Sequence, residues 1–129
     1  MTHVRKAAFD ERFWQSFDRL IEESDVIVDR PAGSAHPRYP DFVVPFDYGY
    51  LEATSSMDRE GIDVWLGTLG NRELVGLVLT VDLHKKDAEI KLLLGCTFEE
   101  VQRISAIHNE ESQAGILLLR EDPPSSEAT

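Results

Sequence analysis

The apolar positions change period along the chain. Phe9, Phe13, Phe17, Leu20 and Ile21 recur at helical spacing, with Glu11, Arg12, Asp18, Arg19, Glu22 and Glu23 on the other faces. This predicts one amphipathic helix ending near Ser24, its aromatic stripe a packing face. Val26-Ile27-Val28 is a short β-branched run, and Pro31 and Gly33 mark a turn over 29–34. Pro37, Pro40 and Pro45 bias their predecessors towards extended geometry and exclude helix from 36–46. Alternating and β-branched runs then predict strands over 61–68, 74–82 and 88–95, with turns at Gly70-Asn71 and His84-Lys85-Lys86. Thr97 and Glu100 have the spacing of a capping box, opening a helix from Phe98 to His108 that carries Phe98, Val101 and Ile104 on one side. Ile116-Leu117-Leu118-Leu119 is a last strand. The expected fold class is α+β, mainly β: a small barrel or curled sheet with an N-terminal and a C-terminal helix.

A length of 129 residues and 42% hydrophobic content suit one domain over 1–120. Residues 121–129, with Pro123-Pro124-Ser125-Ser126, have nothing to bury and read as a disordered tail. Acidic residues outnumber Lys and Arg by 24 to 13, for a net charge of -11, the opposite of what a phosphate-backbone binder needs. Nucleic acid is therefore not an expected partner. Cys96 is the one cysteine, so an intrachain disulfide and a Cys-based zinc site are excluded, and a reducing cytoplasm fits. No apolar run approaches the ~20 residues of a membrane span, and Met1 to Asp10 lacks a signal-peptide core.

Two acidic stretches carry the candidate chemistry. Asp58, Glu60 and Asp63 fall within six positions where a turn enters a strand, an arrangement that can converge oxygens on a hard cation such as magnesium. The plain alternative is a polar loop leading into a strand. Asp82 and Asp87 bracket a probable hairpin turn and would lie side by side at a sheet edge. His84 and His36 fall in turns, and neither is assigned to a metal.

Taken together, these stretches resemble the soluble inorganic pyrophosphatase family. Asp58-Arg59-Glu60-Gly61-Ile62-Asp63-Val64 is similar to its D-x-D-P-x-D-V element, with Glu for the middle Asp and Gly for Pro. Tyr48-Gly49-Tyr50 looks like its Y-G-Y run, Val75-Gly76 precedes Asp82 with family-like spacing, and Asp87 follows at the separation of its second aspartate pair. Asp29-Arg30-Pro31 and Pro37-Arg38-Tyr39 extend the resemblance towards the N-terminus, so that it covers about 26–95. The resemblance implies an OB-like β-barrel and magnesium-dependent hydrolysis of inorganic diphosphate. It implies Asp29, Asp58, Asp63, Asp82 and Asp87 as metal ligands, Glu60 and Asp63 as catalytic carboxylates, and Arg38, Tyr48 and Lys91 as substrate ligands.

The sequence also departs from that pattern. Glu89 stands where the family has Lys; Lys91, two residues on, shares its strand face and is the candidate replacement. A loop Arg before the Y-G-Y run is missing. No tyrosine follows Tyr50, which leaves Arg103 or His108 as the only cationic candidates on the helix from Phe98 to His108, and His108 reads as a helix C-terminal residue facing the dipole. The alternatives are a catalytically impaired binding or assembly module, or a hydrolase of another small phosphate ester. A homo-oligomer is possible, and no sequence feature marks its interface.

Overall fold

A computed structural model describes residues 5–6, 11–56, 61–121 and 124. Its elements run β1 (Arg5–Lys6), α1 (Glu11–Glu22), β2 (Val26–Arg30), β3 (Asp47–Leu51), β4 (Ile62–Leu66), β5 (Leu74–Asp82), β6 (Asp87–Leu94), α2 (Phe98–Ile107) and β7 (Gln113–Leu119). The strands form one mixed sheet in the order β1-β7-β5-β6-β4-β3-β2. The β4–β6 and β1–β7 pairs are parallel and the others antiparallel. The fold is α+β and mainly β, as expected. Closing a barrel would require β1 and β2 to meet; among the described residues they are the two free edges, and the sheet is open.

Period-two alternation divides the strand residues between two cores. Trp65, Val78, Leu93, Leu117 and Leu119 pack against Val101 and Ile104 of α2 and against Val44 and Phe46 of the preceding loop. Their sequence neighbours Val64, Leu77, Leu92 and Leu94 face the other way, onto Trp14 and Ile21 of α1. The helices thus lie on opposite faces. Truncating a side chain such as Leu77 or Leu92, both fully buried, is expected to cost about 2–5 kcal/mol.

The expected packing stripe of α1 needs correction. Trp14 and Ile21 are buried and Phe17 is half-buried, whereas Phe13 and Leu20 are exposed. Spacings of three and four from Trp14 through Phe17 to Ile21 define the true stripe, and Phe13 and Leu20 lie on its flank. Phe9 lies outside the described residues. The capping box is present: the Thr97 side chain accepts from the Glu100 N–H, and the Glu100 carboxylate accepts from the Thr97 N–H. Strands β3 and β1 were not anticipated, and β7 begins three residues before Ile116. Most of the tail lies outside the described residues; the Pro124 carbonyl accepts from the Phe98 N–H at 2.7 Å.

Two glycines explain parts of the motif region. A Cβ on Gly49 would collide with the Ile27 carbonyl of β2, so the middle of Tyr48-Gly49-Tyr50 is fixed by close backbone approach. Gly61 has φ +103, a conformation that proline cannot adopt. Gly rather than Pro at this position therefore matches the backbone found here.

Candidate functional site

Cross-strand register brings together residues that are distant in sequence. Tyr48 pairs with Trp65, Asp63 with Lys91, and Arg30 with Tyr48, the last because a register shift after Val28 leaves Asp29 as an extra residue. Such a bulge turns the following side chain onto its neighbour's face. The Arg30 guanidinium lies over the Tyr48 ring, 5.5 Å from its centroid.

Lys91 is the centre of this cluster. Its Nζ donates to Asp63 Oδ2 at 2.6 Å, Glu89 Oε1 at 2.6 Å and Tyr48 Oη at 2.9 Å. The side chains of Lys91, Asp63 and Glu89 are 8%, 18% and 5% exposed. Burial alone would strip the Lys91 proton, but Tyr48, Asp63 and Glu89 outweigh it and raise the pKa above the ordinary lysine value. Burial also pushes the Tyr48 phenol up, against the opposing pull of Lys91, so Tyr48 keeps its proton. The three charged side chains sum to -1, with Tyr48 a neutral donor and Arg30 a second cation at its ring.

A second chain of contacts ties this cluster to α2. The Trp65 ring packs edge-on against Tyr48 with centroids 4.6 Å apart, and its Nε1–H donates to His108 Nε2 at 3.0 Å. Nε2 is therefore an acceptor, and the His108 proton resides on Nδ1, which donates to Gln113 Oε1 at 2.9 Å. Burial, with Lys91 nearby, lowers the His108 pKa to about 4 against the opposing effects of Gln113 and Asp63. His108 is neutral at pH 7, a buried C-cap of α2 with both nitrogens engaged. It is not the charged helix-end group that its position suggested.

The other expected site residues are elsewhere. Arg38 is exposed in the loop before β3, its N–H donating to His36 Nδ1, and Asp29 is exposed at the bulge. Asp82 Oδ1 accepts from the N–H groups of His84 and Lys85 and from Ser112 Oγ, the pattern of a turn-forming aspartate. Asp87 faces Lys85 at 3.5 Å. Asp82 and Asp87 pair across the hairpin on the same sheet face as Glu89 and Lys91. Asp87 lies four residues from Lys91, or about 13 Å along the strand. Asp58 and Glu60 lie outside the described residues.

The structure thus unites Tyr48, Asp63 and Lys91 and adds Glu89 and Arg30, to which the sequence assigned no role. Period-two alternation already put Glu89 on the face of Lys91, and the same alternation could have marked it as a partner. Nothing in the sequence announces the bulge that delivers Arg30. Asp63 and Glu89 offer the carboxylate oxygens that magnesium prefers. They are two ligands only, and no group of three or more His, Cys, Asp or Glu able to hold a metal ion occurs among the described residues. No helix among these residues is long and apolar enough to cross a membrane. No protein-family model matches the chain, and neither a curated protein nor a solved structure matches it.

Proposed function

We propose that the chain is a magnesium-dependent hydrolase of inorganic diphosphate, with its centre at Tyr48, Asp63, Glu89 and Lys91. One observation carries this reading: three separate motif stretches, around Tyr48, Asp63 and Lys91, meet in direct contact at a single buried lysine. Asp63 and Glu89 are the residues assigned to hold magnesium; Asp58, outside the described residues, is assigned with them by resemblance alone. The ion would supply charge neutralisation for diphosphate and lower the pKa of an attacking water. Lys91 orients both carboxylates, the Tyr48 hydroxyl donates a hydrogen bond to a phosphate oxygen, and Arg30 adds positive charge at the same ring. Glu60 is assigned by resemblance to orient the water. A P–O bond forms to the water oxygen, the bridging P–O bond breaks, the water's lost proton passes to the leaving phosphate oxygen, and two phosphates leave. An OB-like curl of the open sheet and a cytoplasmic location belong to the same proposal.

Asp82 is assigned to the hairpin turn whose N–H groups it accepts, Asp87 to its contact with Lys85, Asp29 to the β2 bulge, and Arg38 to the surface, where it could meet substrate only from outside. A second reading, a non-catalytic binding module, is favoured by the salt bridges that already engage Asp63 and Glu89 with Lys91. Phosphate release from diphosphate, measured with and without magnesium, separates the two. The proposal requires magnesium-dependent release that Asp63→Asn lowers at least on the order of a hundredfold. Release no greater than that of Asp63→Asn rejects it, and faster release from nucleotides than from diphosphate assigns the site to another phosphate compound.

A further inference from the structure

Among the described residues, the sheet face that α1 covers is only half covered. α1 packs on the rows containing Leu77, Leu92 and Leu118. One row nearer the β5–β6 hairpin lie Leu79, Ile90 and Ile116, and beyond them Val81, Ala88 and Ala114, paired across three adjacent strands. All six positions are uncharged and exposed, Ile116 at 63%, and Leu83 at the hairpin tip is 77% exposed. Period-two alternation puts these side chains on the face opposite Asp87, Glu89 and Lys91.

The helix extends the patch. Asp18 and Glu11 bond Arg120, just past the end of β7, which turns that flank of α1 towards the end of the sheet away from the hairpin. At 100° per residue, Phe13 and Leu20 lie on the opposite flank. Both are exposed, on the side of the helix away from Arg120.

We propose that this surface is a two-fold interface with a second copy of the same chain. A rotation about an axis lying in the sheet face and perpendicular to the strands lays bare strands on bare strands. It also carries each hairpin tip to the step formed by the partner copy's α1. Leu83 then meets Phe13 and Leu20, and Lys85 and Lys86 approach the acidic end of α1 at Glu22 and Glu23. A patch on the order of 400 Å² is of the size that marks interaction sites and matches the apolar centre of an interface burying about 800 Å² per copy. Sheets packed face to face stand ~10 Å apart, the depth that a helix step occupies.

Sedimentation of the full chain over a range of concentrations tests the proposal. A dimer is expected, and Ile116→Asp, at an exposed position that should leave the fold intact by circular dichroism, is expected to weaken it roughly a hundredfold. A disulfide readout does not depend on that variant. Leu83→Cys combined with Leu20→Cys should yield covalent dimers on mild oxidation, while buried Cys96, its pKa pushed up to about 12 chiefly by burial, stays out of exchange. A chain monomeric at every concentration, or a dimer indifferent to Ile116→Asp and not captured by the cysteine pair, overturns the proposal and leaves the patch to an unlike partner.

Discussion

Asp63 and Asp82 lie on one face of one sheet, and both belong to acidic stretches that carry candidate cation ligands. Asp63 is on a central strand, where Lys91 contacts it at 2.6 Å and where Glu89 shares the same ammonium. Asp82 ends β5 at an exposed hairpin, and one of its oxygens accepts from two backbone N–H groups and from Ser112. Slight burial would raise the Asp82 pKa, but the hydrogen bonds from Lys85, Ser112 and His84 outweigh it, and the net shift is downwards. Two aspartates of equal formal charge are thus used differently. Asp63 is held in a buried charge cluster that could exchange a lysine contact for a cation, whereas the charge of Asp82 is spent on backbone geometry.

The largest effect expected from this contrast is at Lys91. Lys91→Met leaves the half-buried Asp63 and the buried Glu89 without the Lys91 ammonium, which should destabilise the protein by about 3–5 kcal/mol in urea titrations. Added magnesium should recover part of that loss in Lys91→Met, because the same two carboxylates would then face the ion. A loss that magnesium does not touch would show that the cluster is a structural ion pair, as the hairpin turn is structural.

Next in size is the pH dependence of the contact between α2 and the site. The folded pKa of His108, about 4, lies below that of an exposed histidine, ~6.5. Between those values the unfolded chain binds the extra proton, so the contribution is complete above pH ~6.5 and is lost as pH falls towards 4. The loss should reach roughly 3 kcal/mol. Unfolding curves for the wild type and His108→Gln at each pH isolate it from the carboxylates, and parallel curves would refute a buried neutral His108.

How much of this was legible in the sequence follows from the range of the interactions. The β5–β6 hairpin, the capping box at Thr97 and the absence of helix over 36–46 rest on local preferences, and all are present. The helix stripe was misplaced because four-residue steps among phenylalanines drew attention away from Trp14, whose burial depends on the sheet beneath it. At the site, Tyr48, Asp63 and Lys91 were identified, but the direct contact of all three was not, because it requires β4 to pair in parallel with β6 across the intervening β5. Glu89 was read as a missing lysine; in three dimensions it is a carboxylate beside a lysine.

At the hairpin, Asp82→Ala removes the acceptor for three donors and should cost about 1–2 kcal/mol, in the range of a lost cap. Asp82→Asn keeps an acceptor oxygen and should cost less. If magnesium-dependent phosphate release survives Asp82→Asn while Asp63→Asn abolishes it, the two aspartates are separated in function as well as in place.

The smallest effect is expected at Asp87, and it is the most discriminating. Its contact with Lys85 is 3.5 Å long and partly solvent-exposed, so water and salt screen it. Asp87→Asn should therefore change stability by no more than about 0.5 kcal/mol. With stability unchanged, any effect on magnesium affinity reports on the ion alone. Titration of magnesium against the activity of Asp87→Asn should reproduce the wild-type midpoint, since about 13 Å of strand separates Asp87 from Lys91. A midpoint displaced tenfold or more would mean that the hairpin carboxylates reach the same ion as Asp63, and the division between a chemical and a structural aspartate would fail.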